Sequence, residues 1–166
     1  TLERVEQTAR QALPTWLARI PHGQEARYGF DTRAAFSQAH IATALPVLTM
    51  NEEDSGLQAS RQWRVPVLVS GRARVWLTVI RKNGEYRSVA IGAAQLAREV
   101  DQVIRDDRRA GGSSTSIRWS LLRLYAQRCD LLYAHSTSPD TATSPFKALT
   151  SASRELGVPQ GTRISH

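Results

Sequence analysis

The sequence predicts an α+β fold, a curved antiparallel sheet of about five or six strands packed against helices. Three observations carry this expectation. The apolar period is helical over residues 2–20, alternating over 63–91 and helical again over 93–109. The strand runs cluster instead of alternating with helices, which favours antiparallel pairing over a doubly wound parallel sheet. Finally, Asn83-Gly84 sits between two alternating runs, and both residues tolerate the positive φ that a type I′ hairpin turn demands.

In chain order, Leu2, Val5, Ala9, Ala12, Leu13, Trp16, Leu17 and Ile20 form one helical stripe, with Thr1 as a candidate N-cap. Pro14 falls inside that stripe and predicts a kink or two abutting helices. A short helix is expected from Asp31, as N-cap, to about His40, burying Ala35, Phe36 and Ala39. Pro46–Met50 reads as a strand and 51–56 as an acidic loop. Trp63, Val65, Val67 and Val69 alternate along the next strand, Ser70-Gly71 turns, and 73–80 forms a strand apolar on both faces and therefore covered on both. After the Asn83-Gly84 turn, 86–91 returns. A helix over 93–109 buries Leu96, Val100, Val103 and Ile104, and Gly111-Gly112 ends it. Two more strands are expected over 117–126 and 129–135, then a loop over 136–145. A last helix around Leu149, Ala152 and Leu156 is capped by Thr150 or Ser151 and stopped by Gly157. The N-terminal helix and the 93–109 helix should cover the sheet. With 166 residues, the chain can bury roughly 70% of its unfolded surface, and no point invites a cut into two domains. The expectation is a single domain over 1–166 with a frayed tail from about 158. The chain begins with Thr1 instead of Met, which predicts removal of its start.

Composition removes several chemistries. A single cysteine, Cys129, rules out an internal disulfide, a Cys-rich zinc module and an iron–sulfur site. No apolar run reaches the length of a transmembrane helix. His22, His40, His135 and His166 lack ligand spacing, and the acidic run Glu52-Glu53-Asp54 lacks the alternating oxygen ligands of a calcium loop. Gly111-Gly112-Ser113-Ser114 follows a helix C-terminus, the wrong electrostatic end for a phosphate. No G-x-S-x-G or S-x-x-K pattern occurs. Cys129 and His135 would make a thiolate–imidazole pair only across a sharp bend, because six residues of strand extend about 20 Å. No catalytic, metal-binding or cofactor-binding residues are therefore expected, and no cofactor. A hydrolase using Cys129 stands as one alternative.

Charge is the more informative feature. The formal net charge is +7, and all but Lys82 and Lys147 of the 22 basic residues are Arg. Residues 1–60 carry five basic and seven acidic side chains, 61–128 fourteen and five, and 129–166 three of each. Within the middle segment the 93–109 helix is neutral, so the excess lies on strands and turns. Arg64, Arg72, Arg74, Arg81, Lys82 and Arg87 are the candidate partner-binding residues. The expected function is a non-catalytic binding module contacting an anionic partner, a protein or another anionic surface, through this band. Trp63, Trp76, Tyr86, Trp119 and Tyr125 are interleaved with it, which keeps a single-stranded nucleic-acid-binding domain as the other alternative. Against that, the tryptophans belong to apolar alternations, and no RNP-like or helix-turn-helix cue is present.

Gly23–Phe30 (GQEARYGF), Trp63–Leu68 (WRVPVL) and Trp76–Ala94 (WLTVIRKNGEYRSVAIGAA) resemble stretches of small secreted bacterial domains. The resemblance implies an extracytoplasmic, secreted or periplasmic, α+β domain without enzymatic activity.

Overall fold

A computed structural model of the chain describes residues 1–50, 53, 56–110, 117–135 and 146–164. The elements run α1 (Leu2–Ala18), 3-10 turns at Glu25–Tyr28 and Arg33–Gln38, β1 (His40–Ile41), β2 (Leu45–Met50), β3 (Leu57–Val69), β4 (Arg72–Lys82), β5 (Glu85–Gly92), α2 (Ala94–Arg109), β6 (Arg118–Leu124), β7 (Cys129–His135), β8 (Phe146–Ala148), α3 (Thr150–Leu156) and β9 (Arg163–Ile164). The fold is α+β, as the change of period implied. Its strand pairing is mixed, because β2 and β6 run parallel while the other described pairs are antiparallel. The chain's own contacts group it into two compact units interleaved in sequence, Thr1–Leu45 with Arg61–Asp101, and Pro46–Ser60 with Gln102–His166.

In the first unit, β5, β4 and β3 pair in that order and β1 adds to β3. Ser70-Gly71 and Asn83-Gly84 both adopt positive φ at each central position, so the two hairpins close as the sequence predicts. Helix α1 packs against β1, β4 and β5. Val5, Ala9, Leu13 and Leu17 of that helix are buried in a cluster with Val65, Val67, Val75, Leu77 and Val79. Burying each such Val or Leu side chain contributes about 1.5–3 kcal/mol. Trp76 and Thr78, on the opposite parity of β4, are buried too, so both faces of that strand are covered.

Several local expectations need correction. Helix α1 runs uninterrupted through Pro14. Pro14 and Arg10, the residue whose carbonyl loses its donor, are both exposed, so the missing bond falls on the outer side of the helix. Thr1 is the N-cap of α1, but its hydroxyl makes no cap hydrogen bond. Residues 33–38 form a 3-10 turn whose N-cap is Thr32 and not Asp31, and Ala35, Phe36 and Ala39 are only half-buried against the core. A segment this short gains little from α-helical bonding, and the side chains set its geometry.

In the second unit, β2 pairs with β6 from Val47↔Leu121 to Thr49↔Arg123, and β6, β7, β8 and β9 follow by antiparallel pairing. Ser60 of β3 donates to the Val47 carbonyl at 2.8 Å. Helix α3 packs against β7 and β8, and its Ala152 joins Leu122, Cys129, Leu131, Phe146 and Ala148 in a core. Its N-cap is Leu149, not Thr150 or Ser151. The Ser151 hydroxyl instead accepts a hydrogen bond from the Asp130 backbone N–H at 2.8 Å, tying the helix to β7. Gly157 ends α3 in the left-handed conformation, as predicted. The expected turn at Gly111-Gly112, the 136–145 loop and all of the 51–56 acidic loop except Glu53 and Gly56 lie outside the described residues. Among the described residues, no helix is long and apolar enough to cross a membrane.

Candidate binding surface

The structure divides the six candidate basic residues into two groups. Arg64, Arg72 and Arg74 are engaged by the chain itself. Arg64, half-buried on β3, donates to the Thr78 hydroxyl on the facing strand. Arg72, at the start of β4, pairs with Asp101 of α2 at 3.1 Å, and the same carboxylate oxygen accepts the Ala73 N–H at 3.4 Å. Arg74 is mostly covered and approaches Asp31 at 3.7 Å. Arg72 ties α2, and Arg74 the loop at Asp31, to the sheet, while Arg64 bridges β3 and β4; each therefore has a role within the fold, although half of the Arg72 side chain stays exposed.

Arg81, Lys82 and Arg87 are exposed at the tip of the β4–β5 hairpin. The sequence reading missed a fourth member. α1 packs on β5 and brings Arg4 beside the hairpin, where its guanidinium carbon stands over the Tyr86 ring at 5.3 Å, while that of Arg81 stands over the same ring at 5.7 Å. Along the helix Arg4, Gln7, Thr8 and Gln11 fall at spacings of three and four, so they share one face. That face meets Glu85, Tyr86 and Arg87 of β5 across a shallow groove of about 350 Å³. Arg87 pairs with Glu85 at 2.7 Å, with both side chains two-thirds exposed. A guanidinium stacked on an aromatic face keeps its in-plane N–H groups available to oxyanions, and the stacking reduces the entropy lost when it binds them. The polar spacing of α1 was legible in the sequence, but not the strand beneath it.

The aromatic residues of the band do not form a stacking platform. Trp76 and Trp119 are buried. Trp63 and Tyr86 pack edge to face at 5.6 Å, and the Tyr86 ring is also contacted by the Arg4 and Arg81 guanidiniums. Arg19 similarly covers Trp16, and Arg33 covers Phe36. Of the five aromatics interleaved with the band, only Tyr125, in the β6–β7 turn, is largely exposed.

The second unit holds the remaining titratable groups of interest. Ser120 on β6 and His135 on β7 meet at 2.7 Å between Oγ and Nε2. Burial, reinforced by the positive Arg118, lowers the His135 pKa and favours the neutral imidazole, whose tautomer sets which of the two partners donates. Ser120 is fully buried, which gives this pair the geometry of a satisfied interior hydroxyl. Cys129 and His135 occupy opposite ends of β7. Burial first, then Asp130 and Glu155, pushes the Cys129 thiol up, the opposite direction to that of an activated nucleophile. His22 and His40 are exposed, His166 lies outside the described residues, and no group of three potential metal ligands occurs among the described residues. No family model, curated protein or solved structure matches the chain significantly.

Proposed function

We propose that the protein is a non-catalytic binding module that contacts an anionic partner protein through the β4–β5 hairpin tip and the adjacent face of α1. The observation that carries this reading is the placement of the Arg4 and Arg81 guanidiniums over Tyr86, next to exposed Lys82 and Arg87. It supports a narrower surface than the full strand band. Four cations come from three elements, Arg4 of α1, Arg81 and Lys82 of β4 and Arg87 of β5, two of them over one ring. Of the four, Arg4 and Arg87 line the groove, where Glu85 is the only carboxylate. The covered Tyr86 face favours a partner recognised by carboxylates over one recognised by base stacking.

Fluorescence anisotropy with labelled poly-L-glutamate tests the reading. Binding is expected at low ionic strength and should weaken severalfold near about 0.15 M salt, where screening acts over about 8 Å. Arg81→Glu/Lys82→Glu should weaken it about tenfold or more. Affinity indifferent to that reversal, or no binding at low salt, would overturn the proposal. Oligothymidylate run in parallel supplies the other decision. Markedly tighter binding of it, with a steep salt slope, replaces the protein partner with a single-stranded nucleic acid.

A further inference from the structure

We infer that the groove between α1 and β5 receives an extended acidic peptide segment, a deepening that rests on the anionic-partner reading above. Two features of the groove point past a generic anion. The first is its neutral lining. Gln7 and Gln11 are exposed, and each amide offers one donor group and one acceptor. Four residues along a helix rise about 6 Å, which is close to the roughly 6.6–6.8 Å between alternate residues of an extended chain. Two glutamines at this spacing therefore match successive same-side peptide groups of a strand laid along the helix. A sulfated polymer or a vesicle surface has no such backbone to pair with them.

The second feature is the strand on the other wall. β5 ends the strand order of the first unit, so its side away from β4 has no strand partner among the described residues. Lys82↔Glu85 closes the two-residue turn, and with that register the Tyr86 backbone groups point outward, away from β4. Val89 is the extra residue of a bulge, because Thr78 pairs with Ala90 and Val79 with Ser88. The bulge interrupts the edge and confines strand-like pairing to the hairpin end, where Arg4 and Arg87 line the groove and Arg81 stands over Tyr86. Backbone pairing there supplies register, and the guanidiniums receive carboxylates projecting from the segment. Glu85 already neutralises part of the Arg87 charge at 2.7 Å, so single carboxylates suit the groove better than dianions.

The test uses the full chain and a fluorescein-labelled peptide with Glu at every second position, with labelled dextran sulfate as the comparison. Gln7→Ala/Gln11→Ala changes exposed helix positions to the best helix former, so the fold is preserved. The variant should lose about tenfold in peptide affinity while binding dextran sulfate as before. If the glutamine variant binds the peptide unchanged while Arg81→Glu/Lys82→Glu still weakens it, the groove assignment is wrong and the anionic-partner reading stands. If neither variant changes the peptide affinity, both fall.

Discussion

Gly29 follows the first 3-10 turn in the left-handed region at φ +81°, and a Cβ there would press into the Arg74 backbone carbonyl. Gly23 has nearly the same φ, +84°, but open space around it. Gly29→Ala should therefore cost about 3 kcal/mol, from left-handed strain plus the backbone clash, and Gly23→Ala only about 1 kcal/mol. Urea midpoints of the two variants check this, and equal losses would refute the close approach. The same segment is held from two sides, since the Arg74 backbone abuts Gly29 and its side chain reaches Asp31. His135 gives a pH-dependent expectation. Its folded pKa is lowered, so between that value and the unfolded value of about 6.5 the unfolded chain binds more protons than the native one. The stabilisation is fully present above about pH 6.5 and is lost progressively as pH falls from there through the lowered folded value. The unfolding free energy of the wild type should decline over that interval, and His135→Gln should flatten the decline. Parallel profiles for the two proteins would show that the imidazole is not the group responsible.

Two ion pairs show how the elements are joined and where a charge matters. Lys147 of β8 meets Asp107 of α2 at 2.5 Å, with side chains only 12% and 5% exposed. Arg87 meets Glu85 within β5 at 67% exposure on both sides. Lys147→Met leaves a carboxylate in a buried site and should cost about 3 kcal/mol. Arg87→Met should change stability by less than about 0.5 kcal/mol. Chemical denaturation of both variants measures the contrast, and similar losses would contradict the burial argument. Neither pair was legible in the sequence, where Asp107 belonged to a neutral helix and Lys147 to no element. Elements whose cause is local were legible. Both hairpin turns carry their own φ requirement, and α2 carries its own apolar stripe and lies within a residue of its expected start. Elements defined by their partners were not. β1, β8 and β9 are two or three residues long and exist through pairing with β3, β7 and β8. The parallel β2–β6 pair joins residues more than seventy positions apart, and no local pattern announces it. Pro14 misled because its cost depends on which face of α1 it occupies, and it occupies the exposed one.

Across the molecule, the formal charge of +7 is a property of composition, whereas the proposed function depends on placement. Summing charge along the chain located the basic band but could not separate Arg64, Arg72 and Arg74 from Arg81, Lys82 and Arg87. The separation depends on Thr78, Asp101 and Asp31, which come from other strands, helices and loops. The same sum placed Arg4 in an acidic-leaning front segment and so hid it, although packing of α1 on β5 delivers it to Tyr86. A matched pair of variants separates net charge from placement. Arg81→Glu/Lys82→Glu reverses two charges at the hairpin tip, and Arg27→Glu/Arg98→Glu reverses two exposed charges elsewhere in the first unit. Both lower the net charge by the same amount, so any effect of overall potential on association is common to them. If the hairpin and α1 form the contact surface, the first variant loses about tenfold or more in polyglutamate affinity and the second less than about threefold. Equal losses would mean that the protein attracts anions by its total charge, with no surface built for them. A loss confined to the hairpin variant leaves the short range of screened charges at physiological salt as the reason, since cations lying beyond about 8 Å from the bound chain contribute little.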